Sequence, residues 1–254
     1  MNLRSRTIVS KPGLFHWLKG SPILFVLLSG LATACFVSCV TQPGKATSTE
    51  AGTKTHWITV SELEQTLPRT PIVAVFDIDD TTLFTSGGFQ WGAKTYGSNI
   101  VSAGVSVREE DLKSEDDKRK YREFWTRMNN ELDEYSVPKW IARELIDLHR
   151  KRGDKIYFVT KRVNTGTEHL TALLKDWFGL PDLEPVIFTN RGPKTPAFVR
   201  IHAQVSYGDS DGDIRDSVQA GARPIRVMRA RTSVNHDPTH NGAFGEEVLV
   251  NSEL

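Results

Sequence analysis

Residues 76–84 read Phe-Asp-Ile-Asp-Asp-Thr-Thr-Leu-Phe and set three carboxylates, Asp77, Asp79 and Asp80, within four positions. Unpaired charge is too costly to bury in an apolar core. These groups must therefore face solvent, a cation, or one another with raised proton affinity. In an extended segment alternate side chains share a side, which puts Asp77 and Asp79 together. Such a pair suits phosphoryl transfer, in which one ionised carboxylate attacks phosphorus and a second, held protonated, donates to the leaving oxygen. An isolated Asp pair is more often a turn whose side chains cap the next segment, so the chemistry has to be supported from elsewhere in the chain.

That support comes from three later segments. Residues 207–213, Tyr-Gly-Asp-Ser-Asp-Gly-Asp, form a second carboxylate cluster with Asp209 and Asp213. The combined set is rich in oxygen and free of thiol and imidazole, which suits a hard octahedral cation such as magnesium. An EF-hand calcium loop is excluded, because counting from Asp209 its twelfth position is Ala220 and not Glu. Thr160 and Lys194 follow two further apolar runs, and a hydroxyl and an ammonium aimed at one edge would hold phosphate oxygens and offset transition-state charge. Singly, Thr160 is an ordinary N-cap candidate and Lys194 an ordinary surface lysine. His236 and His240 have helical metal spacing but enclose Pro238, which argues against a transition-metal site. His56, His149, His169 and His202 are isolated and read as surface or capping residues.

The elements that must position these residues follow from the apolar pattern. Short β-branched runs at 72–76, 155–159, 185–188, 204–207 and 225–228 read as buried parallel strands. Ile141, Leu145 and Leu148 make an apolar stripe over 138–151, with Pro138 suited to the first turn and Gly153 just past the end. Leu170, Leu173, Leu174 and Trp177 do the same over 165–178, which Gly179 and Pro181 stop. The alternation predicts an α/β, Rossmann-like parallel sheet covered on both faces, with its ligand site beyond the carboxyl ends of the strands. Residues 84–135 break the alternation and are expected to form a small, mainly helical cap inserted after the first strand, overhanging the site. Its charged run, 108–123, reads as a solvated helix with Tyr121, Phe124, Trp125 and Met128 on an apolar edge, and Gly87-Gly88 reads as a turn.

The chain has 254 residues, 32 Lys and Arg against 31 Asp and Glu, and 39% hydrophobic residues, which excludes a disordered tail, a collagen-like repeat and a multi-span membrane protein. Residues 1–39 hold four bases, Arg4, Arg6, Lys11 and Lys19, and no acid, leaving 28 bases against 31 acids in the remainder. A mildly acidic body lacks the basic stripe of a nucleic-acid binder, so no nucleic acid polymer is expected as a partner. The N-terminal charges precede a segment, 21–44, without any charged side chain, the order of an export signal over 1–39. Ala32-Thr33-Ala34 fits ordinary signal peptidase, while Cys35 and Cys39 each fit a lipoprotein signal. An uncleaved anchor is the third alternative, because 23–40 is just long enough to span a bilayer. Residues 40–55 read as a flexible linker. No Cys follows Cys39, so the folded part has neither an intrachain disulfide nor a thiol nucleophile.

The order DxDxT, Thr160, Lys194, GDxxxD, with fifteen residues from Lys194 to Asp209, resembles the four-motif signature of the DDDD-type phosphatases of the haloacid dehalogenase (HAD)-like superfamily. Within these, FDIDDTTLF, FWTRMNNELDEYSVPK, YGDSDGDI and GAFGEEVLVNS resemble blocks of the bacterial class B acid phosphatases, and the resemblance runs from His56 to the C-terminus. It implies that Asp77 forms an aspartyl-phosphate and that Asp79 protonates the leaving alcohol and then activates water. Magnesium would be held by the Asp77 carboxylate, the Asp79 backbone carbonyl and the Asp209 carboxylate, with Asp213 orienting a bound water. Thr160 and Lys194 would grip the phosphoryl group, and Phe89 and Trp125 match aromatic positions of the substrate pocket. A homotetramer, an acidic working pH, broad action on small phosphomonoesters including nucleotides, and some transfer to alcohols are also implied. Three positions depart: Lys161 stands at the family's Gly, Asn235 at a tyrosine, and Arg119 near an apolar cap position. The expected protein is an exported magnesium-dependent acid phosphatase of the periplasm or cell envelope, touching the membrane only through its N-terminal signal or lipid anchor. The alternatives are a phosphotransferase acting mainly on nucleosides or alcohols, and a catalytically silent surface lipoprotein that binds phosphorylated ligands.

Overall fold

The structure is a computed structural model that describes residues 55–103 and 107–254. The signal, lipidation and anchor alternatives, and all of the linker but its last residue, lie outside the described residues. In chain order the elements are β1 (His56–Ile58), α1 (Val60–Thr66), β2 (Val73–Phe76), β3 (Leu83–Phe84), α2 (Ser86–Tyr96), α3 (Glu115–Asn130), β4 (Val137–Pro138), α4 (Trp140–Arg152) and β5 (Lys155–Thr160). There follow α5 (Leu170–Phe178), β6 (Ile187–Phe188), α6 (Thr195–Arg200), β7 (Val205–Gly208), α7 (Asp211–Ala220), β8 (Arg223–Arg226) and β9 (Glu247–Leu249).

Seven strands form a parallel sheet in the order β1-β9-β8-β7-β2-β5-β6. Its five inner positions include every run expected from sequence except β6, which lies at one edge. The additions are β1 and β9, three residues each, whose outer member exposes Trp57. Alternation along β2 serves two cores: Ala74 and Phe76 pack with Leu63, Ile141, Leu145 and Leu174 on one face, and Val75 packs with Val159, Ala197 and Phe198 on the other. Phe76 stacks on Tyr207 at 4.6 Å between ring centres, and Phe158 lies 5.8 Å from it on the opposite side. His149 belongs to this core and not to the surface: its Nδ1 bonds the Asp154 carboxylate at 2.6 Å and its Nε2 the Tyr207 hydroxyl at 2.8 Å. Burial outweighs Asp154 and lowers the proton affinity of the ring, which favours the neutral imidazole.

The inserted segment starts and ends on a two-stranded antiparallel stem, with Leu83 opposite Pro138 and Phe84 opposite Val137. Pro138 is thereby drawn into β4, and α4 starts at Trp140 instead. Between the stem strands, α2 and α3 enclose a separate core of Phe89, Tyr121, Phe124, Trp125, Met128 and Leu132. Gly87 and Gly88 lie inside α2, not in a turn, because the small residues let α3 approach. A Cβ on Gly88 would sit 2.8 Å from Met128 Sδ, and one on Gly92 would sit 2.3 Å from the Phe124 ring. The charged run divides into a 3-10 turn at Glu109–Asp111 and α3, which begins where Ser114 accepts from the Asp117 amide at 3.0 Å.

Candidate active site

The first carboxylate cluster is shaped by a tight turn that follows β2. The Asp77 amide still donates to Tyr207 O at 3.0 Å, extending the sheet, after which Thr82 and Leu83 amides both return to Ile78 O. The turn is closed by Asp80 at φ 61°, a left-handed conformation that Asp tolerates better than bulky residues. It sends Asp80 away from its two neighbours: its carboxylate accepts from Ser233 Oγ at 2.7 Å, and its carbonyl accepts from the buried Lys139 ammonium at 2.9 Å. Burial and the nearby Asp209 raise the Asp80 carboxyl to about 7, and burial lowers Lys139 to about 8. Asp80 and Lys139 therefore hold the turn, while Asp77 and Asp79 line one cavity of about 400 Å³.

Lys194, Asp209, Asp213, Phe89 and Asn235 line the same cavity. The Lys194 ammonium, 1% exposed, pairs with Asp77 and lies 2.8 Å from Asp213 Oδ1. Its place is fixed from outside by Asp216, which accepts from the Lys194 amide at 3.0 Å. Asp213 sits in the first turn of α7 in a reciprocal cap with Ser210. Thr81 Oγ bridges Asp77 and Asp209 at 3.2 and 3.3 Å, and Arg229 Nε donates to Asp209 at 2.6 Å.

Burial drives Asp77 and Asp209 above the ordinary carboxylate range, whereas at Asp213 the Lys194 ammonium outweighs burial and holds the carboxyl well below it. Three buried carboxylates thus share an incomplete set of cations. Their oxygens lie within 4.8 Å of one another, an oxygen-only donor set that fits a metal ion.

Asp79 has a partner that sequence did not reveal. The fully buried Arg162 guanidinium donates to both Asp79 oxygens, Nε to Oδ2 at 3.0 Å and Nη2 to Oδ1 at 2.9 Å. Its other edge grips Asp133 in the inserted segment, at 2.6 and 2.9 Å. Burial pushes the Asp79 carboxyl up, but Arg162 outweighs it and holds the group low. Thr160, at the end of β5, is buried behind the cavity wall, and its hydroxyl accepts from the Arg162 amide at 3.2 Å.

The remaining pocket residues are placed differently from one another. Phe89 forms wall. Trp125 stands one layer back, edge-on to Phe89 at 6.1 Å with the Arg191 guanidinium 5.5 Å from its ring, because the core between α2 and α3 claims it. Arg119 is on the solvent face of α3, paired with Asp116 and Glu123, and is remote from the cavity lining. Its i, i+3 and i, i+4 partners already marked that face as solvated.

The family model described as HAD superfamily, subfamily IIIB (acid phosphatase) matches residues 38–235. The class B acid phosphatase of Salmonella arizonae is 44% identical over 205 residues, covering 78% of this chain and 80% of the relative. That of Haemophilus parainfluenzae is 38% identical over 204 residues with the same coverage. The chain belongs to the class B acid phosphatases of the HAD superfamily. A solved haloacid dehalogenase-like hydrolase from Streptococcus pneumoniae, 11% identical, superposes with a TM-score of 0.52 over 73% of this chain and 96% of its own, which bears on the fold alone. The enzyme is a phosphatase of bacterial kinship, its sheet is the HAD-like α/β sheet, and phosphomonoesters are its substrates. Among the described residues no helix is long and apolar enough to cross a membrane.

Proposed function

We propose that this chain is an exported, magnesium-dependent acid phosphatase that hydrolyses small phosphomonoesters, nucleotides included, through an aspartyl-phosphate on Asp77. What supports this most directly is one juxtaposition: Asp77 and Asp79 open into one cavity where the Lys194 ammonium joins Asp77 to Asp213. A carboxylate oxygen of Asp77 bonds to phosphorus as the bond to the leaving oxygen breaks, and Asp79 gives that oxygen its proton. Asp79, now ionised, takes a proton from water; the water oxygen bonds to phosphorus and the Asp77 carboxylate is released. Lys194 offsets charge on the phosphoryl oxygens, while Thr160, buried behind the wall, supports the site by accepting from the Arg162 amide. Phe89, backed by Trp125, gives the leaving group an apolar wall. The carboxylates of Asp77, Asp209 and Asp213 and the backbone carbonyl of Asp79 would hold or orient a magnesium ion, which would supply charge neutralisation between nucleophile and phosphate.

Arg162 favours the ionised form of Asp79, which by itself opposes proton donation. The incoming phosphoryl group adds negative charge beside Asp79 and raises its proton affinity, and acid acts in the same direction. Activity therefore falls as pH rises. Export rests on the charge order of residues 1–39, which places the enzyme in the periplasm or cell envelope, attached to a membrane only through that segment or a lipid on Cys35 or Cys39. A homotetramer completes the assignment, supported by the exposed Tyr135, Val137, Trp140 and Leu254 around β4.

The test is turnover of an aryl phosphate. Asp77→Asn should lower it by at least about a thousandfold, the scale of loss when a nucleophile is removed, and chelation should suppress it until magnesium is restored. Undiminished turnover under either treatment refutes the mechanism. Intact mass of the mature N-terminus decides between a lipid-modified Cys and simple cleavage.

A further inference from the structure

Three cations at the mouth of the site take no part in the chemistry above. Lys161, Arg191 and Arg215 line the catalytic cavity, and the same three side chains line an adjoining cavity of about 310 Å³. They come from separate elements: Lys161 from the residue after β5, Arg191 from the loop after β6, and Arg215 from α7. Among the described residues, the one carboxylate that lines the adjoining cavity is Asp216. It is already committed to the Lys194 amide at 3.0 Å and to Thr195 Oγ at 2.8 Å, and it meets Lys161 at 3.5 Å. The cavity wall therefore carries three positive side chains against one shared negative one.

The three are held in place by neighbours other than the reacting carboxylates. A Cβ on residue 212 would stand 2.6 Å from Lys161 Nζ, so Gly212 is what lets that ammonium lie over the first turn of α7. The helix N-terminus adds its partial positive charge at the same point. The Arg215 guanidinium lies 5.5 Å from the Phe244 ring centre, and Arg191 lies the same distance from Trp125. Aromatic faces help to orient both guanidinium groups.

We propose that Lys161, Arg191 and Arg215 form a subsite for a second anionic group on the substrate, so that the enzyme prefers phosphomonoesters that carry another phosphate or a carboxylate. The preference rests on the phosphatase activity proposed above: one phosphate is attacked by Asp77 while the second anion lies in the adjoining cavity and is not cleaved. Binding energy from this remote group orients the reacting phosphate.

The test uses three series of alkyl phosphates of graded chain length that end in methyl, in carboxylate or in a second phosphate, assayed at constant ionic strength. At the chain length that spans the two cavities, kcat/KM for an anionic terminus should exceed that for methyl by roughly tenfold or more, mainly through KM, and the advantage should shrink as salt screens the charges. The ranking of carboxylate and phosphate termini separates a general anion site from a phosphate site, and either supports the subsite. In the double variant Lys161→Gly with Arg215→Gln the ratio should fall to about one. The same ratios measured as binding to Asp77→Asn by calorimetry read the subsite independently of turnover, so a failed phosphatase assignment is told apart from a failed subsite. Equal values for all three termini at every length, or an advantage that survives the double variant, overturns the proposal.

Discussion

Replacing Lys194 by Met removes an ammonium and keeps most of its buried stem. That ammonium is the common partner of Asp77 and Asp213, on a side chain 1% exposed. Deleting one partner of a buried ion pair costs about 3–5 kcal/mol, because the surviving charge is left without compensation. Two carboxylates survive here and a third, Asp209, adjoins them, so a loss near the upper figure is expected at neutral pH. In the wild type, burial raises the Asp213 carboxyl and Lys194 outweighs it, so the pairing stabilises the fold above the unfolded carboxyl range and is lost as pH falls through the depressed folded value. In the variant that opposition is gone at Asp77, only Lys161 and the Ser210 hydroxyl still oppose burial at Asp213, and the folded protein should bind protons more tightly than the unfolded chain. The deficit must then be largest at neutral pH and close on acidification. One proton taken up on folding changes the difference by about 1.4 kcal/mol per pH unit, so about 2.7 kcal/mol should be recovered between pH 7 and about pH 5. Urea unfolding of both proteins at the two pH values, with divalent ions chelated, measures this. A gap that stays constant would mean that Lys194 contributes packing and not charge, and the shared-ammonium account would fail.

Other perturbations probe parts of the fold farther from the nucleophile. Asp133→Asn leaves Arg162 with Asp79 as its sole carboxylate, which holds the Asp79 proton less tightly, so the alkaline limb of the pH–kcat profile should move down by about one pH unit; an unmoved limb would separate Asp133 from the acid. Gly92→Ala drives a methyl into the Phe124 ring and should cost about 1–3 kcal/mol by thermal unfolding, and no loss would contradict the close α2–α3 approach. His149→Phe strands the buried Tyr207 hydroxyl at a cost of about 1–3 kcal/mol. Adding Tyr207→Phe should then recover part of that loss, and strict additivity in the double-mutant cycle would deny the contact.

The sheet and the motif residues were legible because each depends on a local pattern. A β-branched run ending in a polar residue marks both a strand and the edge its end faces, and in a parallel sheet all such edges coincide. Asp77, Asp79, Lys194, Asp209 and Asp213 thus follow from a few residues apiece plus one topological rule. Arg162 escaped for the opposite reason. Its partners are 83 and 29 residues away, and nothing in the run Thr160-Lys161-Arg162 tells the half-buried cation from the fully buried one. The turn that carries Asp80 escaped similarly, since its direction is set by Ser233 and Lys139, both distant in sequence. Gly87-Gly88 was misread because glycine signals a turn only where nothing needs the space, and here α3 needs it. What sequence withholds is thus the second layer of contacts, and that layer sets the charge state of the first. Asp79 shows the consequence: its residue type and spacing suit an acid, yet Arg162 favours its ionised form, and Asp133 draws on the same guanidinium and tempers that effect. The inserted segment supplies Asp133, so under the proposed mechanism it tunes the proton donor itself.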